Sequence, residues 1–405
     1  MIFEPKKPNV LLELLLDMTM EKNKLFDFDT PVERRATASL KWDKYGNRDI
    51  IPLWVADMDF RSPPAVIRAL QQRVAYGVFG YTLAPKELND VVVAMLKELY
   101  GWEIEPEWLV WLPGLVTGLN VVCRAVGQEG DDVMTAVPVY PPFLTAPGHF
   151  HRNLIKVPLK EKNNRWQFDF DLIESSITAK TRLFILCNPH NPVGRVYTRD
   201  ELETLAAICK KHDILICSDE IHCGLILDKD KPHIPTASLS PDTAARTITL
   251  MAGSKTFNLP GLGCAFAVIG EMNLRRQIKD AMAGIVPMVN ALGYTAARAA
   301  FEDCDDWHTA LLDYLRGNCE IVKAAVREMP HLSMAPVEAT YLAWIDMRTA
   351  GLKNPAAFFE NAGVGLQDGI EFDGPGFARL NFGCSRSLLE KALQRMAVAL
   401  EDHFS

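Results

Sequence analysis

The sequence predicts an α/β protein: a large domain built on a mostly parallel sheet sandwiched by helices, and a smaller α+β domain. Three observations predict it. Short apolar runs alternate with amphipathic helical stretches through the middle of the chain. Polar residues stand directly after those runs. Beyond about residue 300 the pattern changes to long amphipathic helices around one strand-like segment. On this reading residues 1–60 are an N-terminal arm and part of the small domain, 61–300 the large domain, and 301–405 the small C-terminal domain. A chain of 405 residues is long enough for two domains.

Near the start, residues 10–16 (VLLELLL) follow Lys6 and Lys7, but Glu13 interrupts the run and Asp17 closes it. A spanning helix needs roughly 20 apolar residues, and no small-residue cleavage site follows. A surface helix is expected there, or an extension upstream of a start at Met18 or Met20, and no membrane partner. Gly114-Leu115-Val116-Thr117-Gly118 reads as the opening of an apolar helix, Leu119 to Val126. Leu183 to Leu186 is a short apolar strand, followed by the turn-rich loop NPHNPVG, Asn188 to Gly194. Two Asn-Pro pairs restrict that loop, and one is a candidate cis bond. Thr198 to Lys211 reads as a helix: Thr198 is the N-cap, Glu201 its capping-box partner, and Leu202, Leu205, Ala206 and Ile208 form the apolar stripe. Ile214 to Cys217 is the next strand, and a helical crossover between the two implies that they run parallel. Ile248 to Met251 is a further buried strand. Helices over about 305–328 and 386–402 flank a strand-like segment, Thr340 to Asp346, and a loop rich in glycine from Gly363 to Gly376.

Composition narrows the function classes. The chain is 48% hydrophobic and 23% charged, ordinary for a globular protein. A net charge of −8 argues against a nucleic-acid partner. The 9 cysteines include no C-x-x-C pair, so a disulfide framework is not expected and a reducing cytoplasm fits. Cys209, His212, Cys217, His222 and Cys223 match no standard zinc spacing, so no metal is expected. Asp57 and Asp59 form a carboxylate pair expected to hydrogen-bond at the domain entrance. His149, His151 and His190 are read as structural or surface residues.

In parallel sheets, ligands bind beyond the carboxyl ends of the strands. Asn188 and Asn191, Asp219 and His222, and Ser254 and Lys255 follow three such ends, and should converge. Lys255 lies in GSKTFNLPG; a lysine at a buried strand end is costly when charged. Burial lowers its pKa and leaves an amine that attacks aldehydes. A carboxylate at Asp219 can hold a protonated pyridine nitrogen. Asn191 can donate its amide to a phenolate oxygen. Tyr140, between prolines in VPVYPPF, can present its ring as a stacking face. The helix opening near Gly114 offers unpaired N–H groups to a phosphate. Each signal alone has an ordinary explanation, such as a capping aspartate or a packed ring. Together they ask for a single ligand with an aldehyde, a basic ring nitrogen, a phenolate oxygen and a phosphate. Pyridoxal 5′-phosphate has all four.

The order Tyr140, NPHNPVG, SDEIH, SKTFNLPG and FARLNFGCSR resembles the fold-type-I pyridoxal-phosphate enzymes of the class I/II aminotransferase superfamily. KWDKYG (Lys41 to Gly46), LWVADMDF (Leu53 to Phe60) and FGYT (Phe79 to Thr82) resemble the cystathionine β-lyase branch, bacterial C–S lyases that include cystalysin. The resemblance runs from about residue 26 to the C-terminus and implies a role for each site residue. Lys255 holds the cofactor covalently and later moves the Cα proton. Asp219 pairs with the pyridinium nitrogen, Asn191 bonds the ring oxygen and Tyr140 stacks on the ring. The backbone at Leu115 and Val116, with Ser254, holds the phosphate. Tyr81 reaches the phosphate of the neighbouring subunit, which implies a homodimer. Arg379 binds the α-carboxylate of an amino-acid substrate.

Three positions depart from the aminotransferase pattern. His222 stands where many of those enzymes have tyrosine; it can still hydrogen-bond near the ring oxygen. Gly263 stands where they often have a phosphate-binding arginine, and Ala252 where they often have serine. The lyase branch lacks that arginine. The expected reaction is therefore β-elimination from cystathionine or a related cysteine S-conjugate, giving a thiol, pyruvate and ammonia. Transamination of amino acids is the enzyme alternative. A regulator that acts only through a protein-binding surface is the alternative of another class, disfavoured by the complete lysine–aspartate–asparagine set.

Overall fold

The computed structural model describes residues 26–405; the apolar run at 10–16 lies outside them. The main feature is a seven-stranded sheet. Its strands are β1 (Leu109–Leu112), β2 (Asp132–Val137), β3 (Asn153–Pro158), β4 (Thr181–Cys187), β5 (Leu215–Asp219), β6 (Thr247–Met251) and β7 (Ala265–Val268). They lie in the order β1-β7-β6-β5-β4-β2-β3. All neighbours from β6 to β3 are parallel, and β7 runs antiparallel to both β6 and β1. The sheet is thus mostly parallel, as expected, with one reversed strand.

Side-chain alternation explains the layers. Leu183, Ile185 and Cys187 of β4 pack on one face with Leu119 and Val122, while Phe184 and Leu186 pack on the other with Leu202 and Leu205. Both faces are covered by helices, which is why the strands read as continuous apolar runs. The helix Arg199–Lys211 starts on a complete capping box: Thr198 accepts from the Glu201 N–H, and Glu201 reaches back to the N-cap.

Two local expectations need correction. The helix after Gly114 begins at Leu115, not Leu119, and runs to Ala125. Gly118 is therefore inside it, where an added Cβ would lie 3.2 Å from side-chain atoms of Leu112 and Leu250. The close approach to the sheet, rather than a break in the helix, explains that glycine. Both Asn188–Pro189 and Asn191–Pro192 are cis, where one candidate was expected.

A second, four-stranded antiparallel sheet follows: β8 (Ser333–Met334), β9 (Leu342–Asp346), β10 (Gln367–Asp368) and β11 (Phe377–Asn381), in the order β8-β9-β11-β10. The helices Asp305–Glu328 and Arg386–Phe404 contribute Leu311, Leu315, Leu389 and Leu393 to the apolar cluster with β9 and β11. Ile51–Pro52 pairs in parallel with Val364–Gly365, which brings the early part of the chain against this region.

Candidate active site

The three polar strand ends meet. A cavity of about 210 Å³ is lined by Leu115, Val116, Tyr140, Asn191, Asp219, His222, Ser254 and Lys255, with Ala56, Cys187 and Gly263 among the others. Eight of the expected residues are thus gathered by the ends of β2, β4, β5 and β6 and by the first turn of the helix Leu115–Ala125.

Lys255 donates from Nζ to the carbonyl of Ala56, 2.5 Å away. Burial, reinforced by the Arg379 charge, lowers its pKa to about 8. Asp219 closes β5 and is 4% exposed. Burial raises its pKa to about 7, and among the described residues its carboxylate accepts one hydrogen bond, from the Ile221 N–H at 3.1 Å. Such a carboxylate gains strongly from a cation placed against it. His222 is kept neutral, its pKa lowered to about 3 by burial. Its Nδ1 is buried and has no partner among the described residues.

Asn191 and Tyr140 are tied together, because the Tyr140 N–H donates to the Asn191 carbonyl at 3.2 Å. The Asn191 N–H in turn donates to the Cys187 Sγ at 3.4 Å, which anchors the loop to the end of β4. Leu115 and Val116 sit in the first helical turn, whose N–H groups have no intrahelical acceptor. Gly114 precedes that turn without a side-chain cap, and Gly114, Leu115, Val116 and Thr117 line the cavity.

Arg379 lies on β11 and is 1% exposed. Its Nη1 donates to Asn191 Oδ1 at 2.9 Å, and its Nη2 to the Trp54 carbonyl at 3.0 Å and to Gln367 Oε1. Among the described residues its Nε has no hydrogen-bond partner and no carboxylate forms an ion pair with it. Burial lowers its pKa to about 10. Tyr81 stands apart: it is 99% exposed and lines a separate groove with Phe79, Met288 and Asn290.

Several residues here escaped the sequence reading. Tyr341, fully buried, donates its hydroxyl to the same Ala56 carbonyl at 3.0 Å. It sits in an apolar strand region with no local signal. Lys41, from KWDKYG, is 0% exposed and bonds Asp59 at 2.7 Å, while Arg34 bonds Asp57 at 2.7 Å and Asp59 at 2.6 Å. The carboxylate pair therefore holds the chain just after Ala56, within ion pairs to Arg34 and Lys41 that sequence alone did not reveal.

Comparison with known proteins gives the lineage. The family described as aminotransferase class I and II matches residues 48–396. The chain belongs to that family. Within the class I and II aminotransferases, it is 36% identical to cystathionine beta-lyase PatB of Bacillus subtilis, over 92% of this chain and 100% of that protein. The crystal structure of OvoB is 47% identical, with a TM-score of 0.91 over 93% of this chain and 99% of that one. Cystalysin from Treponema denticola, whose crystal structure contains pyridoxal 5′-phosphate, is 32% identical with a TM-score of 0.89, over 93% and 99%. The large sheet flanked by helices is that of fold-type-I pyridoxal-phosphate proteins.

Proposed function

We propose that this chain is a pyridoxal-phosphate-dependent carbon–sulfur β-lyase that cleaves L-cystathionine or a related cysteine S-conjugate to a thiol, pyruvate and ammonia. The observation that carries this is a buried amine and a buried carboxylate with a raised pKa in one cavity, beside a buried guanidinium that bonds the Asn191 of that cavity and pairs with no described carboxylate. The relatives named cystathionine beta-lyase and cystalysin support the same reading.

The residues fit the cofactor. Lys255 supplies the amine for its aldehyde, and Asp219 the anion for its ring nitrogen. Asn191 supplies an amide for its ring oxygen, and Tyr140 a ring face. The helix start at Leu115 and Val116, with Ser254, supplies donors for its phosphate. The unpartnered buried Nδ1 of His222 is a further polar atom that awaits a ligand on this side. When bound, the cofactor supplies an electrophilic carbon and an electron sink for the substrate carbanion.

The chain's own groups then divide the work. Arg379 takes the substrate carboxylate, because its planar fork matches two oxygens. Asp219 would hold the ring nitrogen as an ionised carboxylate, a buried charge-assisted bond worth about 1.5–3 kcal/mol. With the cofactor bound, the Lys255 amine would be the group placed to move the Cα proton; a positioned group of this kind contributes about 10²–10⁴-fold. The Ala56 carbonyl, braced by Tyr341, holds its nitrogen in place.

Tyr81 enters this reading through a second copy of the chain. Val78, Phe79, Tyr81, Leu83 and Met288 are all exposed, and a homodimer would cover them and carry Tyr81 to the neighbouring phosphate. The division at 1–60, 61–300 and 301–405 is part of the same reading, supported by the confinement of the large sheet to residues 109–268 and the small sheet to 333–381. No helix among the described residues is long and apolar enough to cross a membrane. A cytoplasmic location is proposed from the cysteines, all nine free.

The deciding experiment incubates the purified protein with cystathionine, with and without an added keto acid, and assays homocysteine and pyruvate. Pyruvate and thiol formed without the keto acid are expected. Strict dependence on the keto acid would make the chain an aminotransferase instead.

A further inference from the structure

Gln367 of β10 lies directly opposite Arg379 of β11 in the antiparallel register. Residues paired in this way project from the same face of the sheet. The Gln367 Oε1 accepts from Arg379 Nη2, and its Nε2 donates to Glu371 Oε2 at 3.0 Å. An ionised carboxylate only accepts, so Glu371 fixes which end of the amide faces the guanidinium. With Trp54 and Gln367 both engaged, Nη2 has used both of its hydrogens on neutral oxygens. The two acceptors differ in kind. The Trp54 oxygen is backbone, in a segment where Asn381 Nδ2 binds the Val55 and Asp57 carbonyls at 2.6 and 2.7 Å. Gln367 is a flexible side chain, half-buried.

We propose that Gln367, oriented by Glu371, is a neutral placeholder at Arg379: it holds the guanidinium in the absence of substrate and yields one N–H to the substrate carboxylate. The inference rests on the reading of Arg379 as the carboxylate-binding residue. Neutrality is the point of the device. A carboxylate at this position would pair with Arg379 permanently, as an internal competitor. An amide oxygen binds the guanidinium more weakly than a carboxylate does, so the substrate wins the exchange.

Two substitutions separate this role from simple support. If Gln367 only braces Arg379, then Gln367→Glu, which keeps the length and gains a charge, is milder than Gln367→Ala. The placeholder role reverses that order. Gln367→Glu should raise KM at least tenfold, and more than Gln367→Ala does, while kcat stays within about twofold. Its cofactor absorbance and Tm should match those of the parent holoenzyme. The dissociation constant of L-alanine, read from the change in cofactor absorbance, should rise in parallel with KM. A glutamate variant with unchanged KM, or one milder than the alanine variant, overturns the proposal. Glu371→Gln, at an exposed position, gives an independent check: it releases the orientation of the amide and should raise KM two- to fivefold at constant kcat; no change there also counts against the placeholder. Arg379→Lys serves as the control. If it leaves KM unaltered, the underlying reading of Arg379 fails. If it weakens binding while Gln367→Glu does not, the placeholder alone fails.

Discussion

Lys255 and Asp219 owe their properties to burial rather than to neighbours in sequence. For both, burial is the largest influence on the pKa, and it acts in opposite directions because one group is cationic and the other anionic when charged. Lys255→Ala should yield a folded protein without the cofactor's long-wavelength absorbance; retention of a borohydride-reducible absorbance would place the covalent link elsewhere. Asp219 makes a prediction about the cofactor-free protein. Its folded pKa of about 7 lies above the ordinary value of 3.8, so between those limits the native state binds more protons than the unfolded chain. Stability from this group is complete below about pH 4 and is lost as pH rises through 7. The loss is on the order of 4 kcal/mol. Urea midpoints of the cofactor-free protein at pH 5 and 7.5 should fall more steeply in the parent than in Asp219→Asn. Equal slopes would show that the carboxylate is better solvated than its surroundings suggest.

At the scale of elements, periodic signals were legible and close approaches were not. The helix Arg199–Lys211 carries its cap, its capping-box glutamate and its apolar stripe in adjacent letters, and all appear in place. Thr198→Ala should cost about 0.5–2 kcal/mol in denaturant unfolding, with little effect on turnover, because the helix lies behind the site. The strands at β4, β5 and β6 were visible for the same reason: they are short apolar runs bounded by polar ends. The start of the helix at Leu115 was misplaced by four residues because Gly118 looked like a boundary. Its role is set by Leu112 and Leu250, which are distant in sequence. Similarly, nothing near Tyr341 announces that its hydroxyl meets the Ala56 carbonyl.

At the scale of the molecule, the site joins the two sheets. β4, β5 and β6 supply Asn191, Asp219 and Lys255 from one, and β11 supplies Arg379 from the other. Asn191 bridges them through its bond to Arg379. A second copy would cover the exposed apolar residues around Tyr81 on the proposed reading. Sedimentation should show a dimer, and Tyr81→Ala should weaken phosphate-dependent cofactor retention while leaving the dimer intact. A monomer with full activity would remove Tyr81 from the site.

The amino-acid sequence alone determined the class of the fold, the strand ends and the chemical types gathered there, because these depend on local periodicity and on the order of motifs. Tertiary structure decided the rest: that Lys41 is sealed against Asp59, that Arg379 is buried against Asn191 and the Trp54 carbonyl, and that Gln367 stands beside it. Such facts arise from burial and from contacts across hundreds of residues, where solvent exclusion sets both the proton affinities and the partners.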